Sequence, residues 1–213
     1  LFFFDCGGFK IFGSSPEPEL IIEGRKASIY PIAGTCRRSG NEVEDAGLIE
    51  ALCADPKENA EHVMLVDLAR NDLSKHCEKV YVERFREVHK YSHVIHLVSK
   101  VSGEMYPETG TVQLLADTFP AGTLSGAPKY RAMELIDRYE RGRRGFYGGA
   151  IGFIGFDGSC NHAIMIRSFL SKDNVLYSQA GAGVVADSVP EREVQEVNNK
   201  LKALQAALLM AEE

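Results

Sequence analysis

The chain has 213 residues, 45% of them hydrophobic and 25% charged, with a formal net charge of −6. That length supports one sizeable core, removing about 70% of the unfolded chain's surface from water, and the acidic balance argues against a general nucleic-acid binder, which is usually basic. Five cysteines (Cys6, Cys36, Cys53, Cys77, Cys160) without a CxxC pair disfavour a disulfide framework and a zinc site and fit a reducing cytoplasm, and no apolar run is long enough to span a bilayer.

The opening LFFFDCGGFKIFGSS has no initiator Met and no charged n-region, so it is not a signal peptide. It reads as a strand already inside a fold, and the chain is expected to begin within a longer protein. Gly7-Gly8 separates two apolar segments as in a hairpin. Leu20–Glu23 and Lys26–Tyr30 form a second hairpin around Gly24-Arg25. PIAGT, residues 31–35, then reads as a loop before a basic, Gly-containing run. Asp55 followed by Pro56, with Glu58 three residues after the cap, announces a helix over about Pro56–Leu73. Val80–Phe85 alternates as a strand, while Tyr91–Val101 and Val112–Phe119 read as helices. GTLSGAP is a Gly-rich loop, with Pro128 opening another helix. Strands are expected at Gly149–Phe156, Ala163–Leu170 and Val175–Ala180, joined by DGS and KDN turns, before a long helix over about Val189–Met210. Hairpins mixed with helices, without βαβ alternation, give an α+β fold with antiparallel sheet, expected as one domain over residues 1–213.

In the last helix Val194, Val197, Leu201, Leu204 and Leu208 form an apolar seam, and Glu193, Glu196 and Lys200 share a face beside it. Glu58 and Glu61 repeat the ExxE spacing at the start of the earlier helix. Two readings of these acids stand side by side. Four carboxylates converging on one cleft would suit a hard cation such as Mg²⁺, whereas acids near helix N-termini are also stabilising without any further role. The glycines of QAGAGVV permit close backbone approach to an anion, or simply a tight connection. GTLSGAPK combines Thr123, Ser125 and a helix start but is not a P-loop. His96 falls on the polar face of its expected helix with Ser92 and Ser99. Arg167 lies within an apolar strand and needs an anionic partner from the protein or a ligand. Tyr147 either donates its hydroxyl to a ligand or packs. Arg141, Arg143 and Arg144 read as a solvated loop face.

GSSPE, PIAGT, DPKENAEHVMLVDLARNDL, YSHVIHLVSKVSGE, TFPAGTLSGAPKYRAMELI, YGGAIGF and QAGAGVVADSVPEREVQEVNNK, in this order, resemble the chorismate-utilising enzymes, and among them the anthranilate synthase component I family. The resemblance runs from end to end. It implies a two-lobed, antiparallel α/β/β/α sandwich flanked by helices, and Mg²⁺-dependent conversion of chorismate and ammonia to anthranilate and pyruvate, the first step of tryptophan biosynthesis. It places the metal on Glu61 and Glu196, with Glu58 and Glu193 acting through water. It places the chorismate carboxylates on Tyr147, Arg167, Lys200 and the amides of Gly181, Ala182 and Gly183, with Gly34 and Thr35 along the ring. It makes His96 the catalytic histidine, Glu17 the general acid and Thr123 a hydroxyl contact near the reacting ring. The implied partner is a glutamine amidotransferase subunit supplying ammonia, in the cytoplasm, with no membrane or nucleic acid involved. A substantial N-terminal region, carrying tryptophan feedback and one strand of the active-site wall, is expected outside these residues, so this piece alone is expected to be poorly active and unregulated.

Asn161 and His162 depart from the family, which often has an acid and Thr there. Ala33 stands where many aminodeoxychorismate synthases carry a nucleophilic lysine, which favours ammonia as the nucleophile here. Isochorismate and salicylate synthases use a lysine upstream of residue 1. A fragment that binds chorismate or a partner without chemistry is the non-enzymatic alternative.

Overall fold

The computed structural model describes residues 1–91, 94–186 and 188–212. Eleven strands and six helices are assigned within them. One antiparallel sheet runs in the order β1 (Phe2–Asp5), β2 (Lys10–Gly13), β10 (Ser168–Lys172), β11 (Val175–Tyr177). The second has the order β5 (Ile32–Arg37), β7 (Val94–Met105), β4 (Lys26–Ile29), β3 (Pro18–Glu23), β9 (Cys160–Ile164), β8 (Ala150–Ile154), with β6 (Cys77–Lys90) pairing β7. Every pairing is antiparallel, as the α+β reading requires.

The main core lies between the second sheet and α2 (Pro56–Ser74). Leu20, Ile22 and Ala27 from the β3–β4 hairpin meet Val66, Ala69 and Leu73 of α2, together with Cys77, Val101, Met105, Leu114 and Cys160. Asp55 caps α2 as the sequence announces, accepting from the amides of Lys57 and Glu58. The preceding helix α1 (Glu42–Ala54) escapes the sequence reading, although Asn41 Oδ1 caps it by accepting the Val43 amide at 2.9 Å. Asp45, fully buried, ties its first turn to Arg38 and Ser39. A smaller core joins Ala121, Tyr147, Ile164 and Ile166.

Tyr91–Val101 is not a helix: residues 94–105 are strand β7, and His96 sits in the middle of a sheet. Ser92 lies outside the described residues. Ile95, His96, Leu97, Val98 and Ser99 are all buried. A strand covered on both faces loses its alternation and imitates a helical run, leaving Val94, Ile95, Val98 and Val101 as the β-branched clue. PIAGT is not a loop but the start of β5. The register with β7 shifts between Ile32 and Thr35, so Ala33 and Gly34 form a bulge that hides the strand pattern. Ala163–Leu170 is two strands, broken at residues 165–167. Val80–Phe85 extends to the whole of β6. GTLSGAP holds a single helical turn, α4 (Gly122–Ser125), before α5 (Lys129–Tyr139). α3 (Thr111–Thr118) and α6 (Pro190–Glu212) stand where expected, but the α6 seam is rotated: Val194 is 61% exposed, whereas Glu193 and Leu204 are buried.

Candidate active site

Glu17 ends the segment between β2 and β3, and its carbonyl accepts the amide of Ile164 on β9 at 3.0 Å. Its side chain is buried, and that burial pushes its pKa up to about 7 against the weaker opposing pull of the Thr123 hydroxyl, Arg167 and Lys200. Thr123, on α4, lies beside it with Oγ1 buried and without a complete hydrogen bond. Ser125 Oγ donates to the Ala121 carbonyl and Lys129 Nζ to Asp72 and the Thr118 carbonyl, so only Thr123 of this run keeps a free hydroxyl.

Arg167 is not inside a strand. It occupies the break between β9 and β10 with φ 51°, a left-handed backbone that interrupts the strand. Burial lowers its pKa, while Tyr147, Glu17 and Glu196 act in the opposite sense. No described carboxylate forms an ion pair with it. The Tyr147 hydroxyl meets the backbone of Gly181: a Cβ there would lie 3.1 Å from Oη, and the Gly181 amide partly offsets the rise in Tyr147 pKa caused by burial. Arg144 lies over the Tyr147 ring at 5.7 Å and holds the Leu124 carbonyl at 2.5 Å, so it is not a solvated arginine of the loop. Lys200 Nζ donates to the Gly181 carbonyl at 2.8 Å and pairs with Glu196 at 2.5 Å. Arg167, Tyr147, Lys200 and the backbone of residues 181–183 thus gather at one place.

The four acids gather next to it. Burial raises the pKa of Glu61, followed by the charge of Glu196, and burial raises that of Glu58, followed by the charge of Glu61. Glu193 is held low by Ser188 and by Lys57 at 3.3 Å. A Cβ at Gly183 would sit 3.0 Å from Glu61 Oε1, so glycine lets the AGAG backbone approach this carboxylate. No three His, Cys, Asp or Glu side chains among the described residues converge as tightly as a metal shell requires, and Lys57 and Lys200 take up two of the carboxylates. The donor chemistry, oxygen only and mutually repelling, fits a hard divalent cation that keeps several waters.

His96 is on β7 directly opposite Thr35 of β5, with Nδ1 2.8 Å from Thr35 Oγ1 and the ring edge-on to Tyr91. Burial lowers its pKa, and Arg167 and His89 lower it further, so it is neutral at neutral pH. Gly34 has φ 88°, and a Cβ there would press on Leu97 Cδ1 at 3.2 Å, so this bulge requires glycine.

His62, fully buried on α2, was not recognised as a site residue. A carbonyl can only accept, so Nδ1 donates to Ala33 O at 3.0 Å. Nε2 then accepts from Ser99 Oγ at 2.6 Å, and Ser99 Oγ in turn accepts the Arg86 amide. The helix carrying Glu61 therefore also grips the bulge carrying Ala33 and Gly34. Glu19 was missed as well. It is buried, and the register shift between Pro18 and Leu20 places it beside Glu17 along a cavity of ≈ 30 Å³. Of the two departures from the family, Asn161 is exposed opposite Ile21, and His162 keeps a buried Nδ1 without a partner.

A sequence model of the chorismate binding enzymes matches residues 1–206. The chain is 48% identical to anthranilate synthase component 1 of Aquifex aeolicus, across 100% of its own length and 44% of that protein. It is 50% identical to the protein of the same name from Geobacillus stearothermophilus, covering 100% and 42% respectively. The fold superposes with TM-score 0.86 on anthranilate synthase component I from Streptococcus pneumoniae, 43% identical over 95% of this chain and 45% of that one. The menaquinone-specific isochorismate synthase of Escherichia coli gives 0.85 at 27% identity, covering 93% and 46%. The chain thus spans less than half the length of these curated relatives. With the family model covering nearly all of it, the chain belongs to the chorismate-binding enzymes.

Proposed function

We propose that residues 1–213 are the catalytic domain of an anthranilate synthase component I, converting chorismate and ammonia to anthranilate and pyruvate in tryptophan biosynthesis, in the cytoplasm. Ammonia would come from glutamine through a partner amidotransferase subunit. The observation that carries the reading is half-buried Arg167, which has no ion pair among the described residues, within electrostatic reach of Glu17, a buried carboxyl whose pKa is pushed to about 7. That combination is one site for an anion beside one proton donor.

Chorismate is a dianion, and an acidic protein must meet it with local positive charge. Arg167 and Lys200 supply that charge, and the Tyr147 hydroxyl and the amides of residues 181–183 orient the carboxylates. Mg²⁺ held by Glu61 and Glu196, with Glu58 and Glu193 on its waters, would stabilise negative charge developing through the ring carboxylate. Glu17 retains a proton near neutral pH and gives it to the C4 hydroxyl, which departs as water while ammonia adds at C2. Thr123 hydrogen-bonds near the reacting ring. Pyruvate is then eliminated and the ring becomes aromatic, with neutral His96, oriented by Thr35, able to take up a proton. Ala33 offers no nucleophile that could capture the ring covalently.

Incubating the complete protein with chorismate, Mg²⁺ and ammonium at alkaline pH tests this directly. Anthranilate fluorescence is expected. A non-fluorescent aminodeoxychorismate product would reassign the chain to the sister activity, and bound but unconsumed chorismate would reduce it to a binding fragment.

A further inference from the structure

Glu19 is 4% exposed, and neither Oε1 nor Oε2 has a hydrogen-bond partner. A buried carboxylate left in this state is costly unless something satisfies it. The strand geometry places it there: β3 pairs β9 with Pro18 opposite Ala163 and Leu20 opposite His162, leaving Glu19 as the extra residue of a bulge. Bulges re-aim side chains, and here Glu19 joins Leu20 on the face covered by α2. The cavity it lines also contains Glu17, Thr123, Asp72, Thr118 and the apolar Leu68 among its walls. Its ≈ 30 Å³ of solvent-sized space is room for about two water-sized molecules.

The charge of Lys129 on α5 acts on Glu19, but its Nζ is committed to Asp72 Oδ2 at 2.6 Å and the Thr118 carbonyl at 2.7 Å. Asp72 of α2 also receives Lys75. Glu17 adds a second carboxyl, Cys160 on β9 a thiol that burial keeps protonated, and Thr123 a buried hydroxyl whose contact with Glu17 falls short of a complete hydrogen bond. A small cation that donates several hydrogen bonds at once would satisfy these acceptors.

We propose that this cavity is a binding site for ammonium, held by the Glu19 carboxylate against Glu17 and Thr123, two residues of the proposed active site. The choice of ammonium over other small monovalent cations rests on the proposed reaction, in which ammonia is the nucleophile. Burial pushes Glu19 up to about 7, so the charged form that binds a cation grows as pH rises through that value.

The test uses the complete protein and its Glu19→Gln and Glu19→Leu variants. Gln keeps the shape, and Leu suits the apolar walls should Gln fold poorly. Thermal melting is followed above pH 7 in ammonium, potassium or tetramethylammonium chloride at equal ionic strength. Ammonium is expected to raise the wild-type Tm more than tetramethylammonium does, and both variants are expected to lose that difference. In turnover, the KM for ammonium should rise about 10-fold or more in the variants while the KM for chorismate stays put, the loss expected for one hydrogen bond to a charged group. Ammonium-specific stabilisation without anthranilate formation by the wild type would refute the proposed function and leave the site standing. Equal responses to ammonium and tetramethylammonium, or variants that keep the wild-type response, overturn the site. Potassium matching ammonium while the variants keep the wild-type ammonium KM overturns the ammonium assignment.

Discussion

Replacing His62 by Phe tests how the ring-side bulge is held. The side chain is fully buried and joins α2 to two strands. Between Ile32 and Thr35 the β5–β7 ladder shifts register, and His62 Nδ1 supplies the donor that Ala33 O accepts. Phe keeps the bulk of the ring and removes both bonds. Ala33 O is then a buried acceptor without a donor, and the Ser99 hydroxyl proton loses its acceptor, although its oxygen still accepts the Arg86 amide. At about 1–3 kcal/mol for each stranded group, the expected loss is about 2–6 kcal/mol. His62→Ala adds a cavity and should lose more. Urea unfolding followed by circular dichroism measures both. Because Thr35, just beyond the bulge, holds His96, kcat should fall more than the KM for chorismate rises. A His62→Phe protein within about 0.5 kcal/mol of wild type, a change typical of an uninvolved surface site, would show that the bulge holds itself and that the reasoning is wrong.

Glu61→Gln and Glu196→Gln should each abolish Mg²⁺-dependent turnover with the circular dichroism spectrum unchanged; Mg²⁺ dependence persisting in both would remove the metal assignment. Glu17 and Glu19 both have pKa values raised from 4.5 to about 7, so between those values the native state holds protons that the unfolded chain has released. Stability should therefore fall as pH rises across that window and level off above it, and Glu17→Gln should flatten the slope in pH-dependent urea melts. The rate, referred to free ammonia, should decline above about pH 7 as Glu17 loses its proton, and a limb that survives in Glu17→Gln would assign the ionisation elsewhere. Lys129→Met leaves Asp72, 5% exposed at its side chain, with only the more distant Lys75, and should cost about 1–3 kcal/mol, read by denaturant midpoint.

The helices were legible where their ends carry chemistry. Asp55-Pro56 marks the start of α2, while α6 shows by the apolar spacing of Val194, Val197, Leu201, Leu204 and Leu208. α1 was equally capped, by Asn41, but its 13 residues show almost no segregation of apolar side chains onto one face, so the periodic signal that would complete the cap was missing. The resemblance, not any spacing along the chain, groups Tyr147, Arg167, Lys200 and residues 181–183; in the structure the Tyr147 hydroxyl and the Lys200 ammonium both lie against the Gly181 backbone. His62 was hidden because its role lies in two contacts across the fold, to Ala33 and Ser99, which no spacing along the chain encodes.

The residues that the strand pattern places wrongly or passes over share one physical cause. Ala33 and Gly34 sit in the β5 bulge, Glu19 in the β3 bulge, and Arg167 in the left-handed break between β9 and β10. Each is a point where the ladder drops a step. A regular strand sends alternate side chains to opposite faces, so a residue can reach a site off its assigned face only by breaking that period. The break that aims the side chain also erases the alternation by which a strand is recognised. PIAGT therefore reads as a loop because its bulge puts Ala33 and Gly34 where His62 can hold them. AIMIRSF likewise reads as one strand because its apolar residues conceal the turn that frees Arg167. Ala33, Gly34, Glu19 and Arg167 all sit at such irregular steps of the sheet, so a strand that scans poorly beside well-capped helices is a place to look for chemistry.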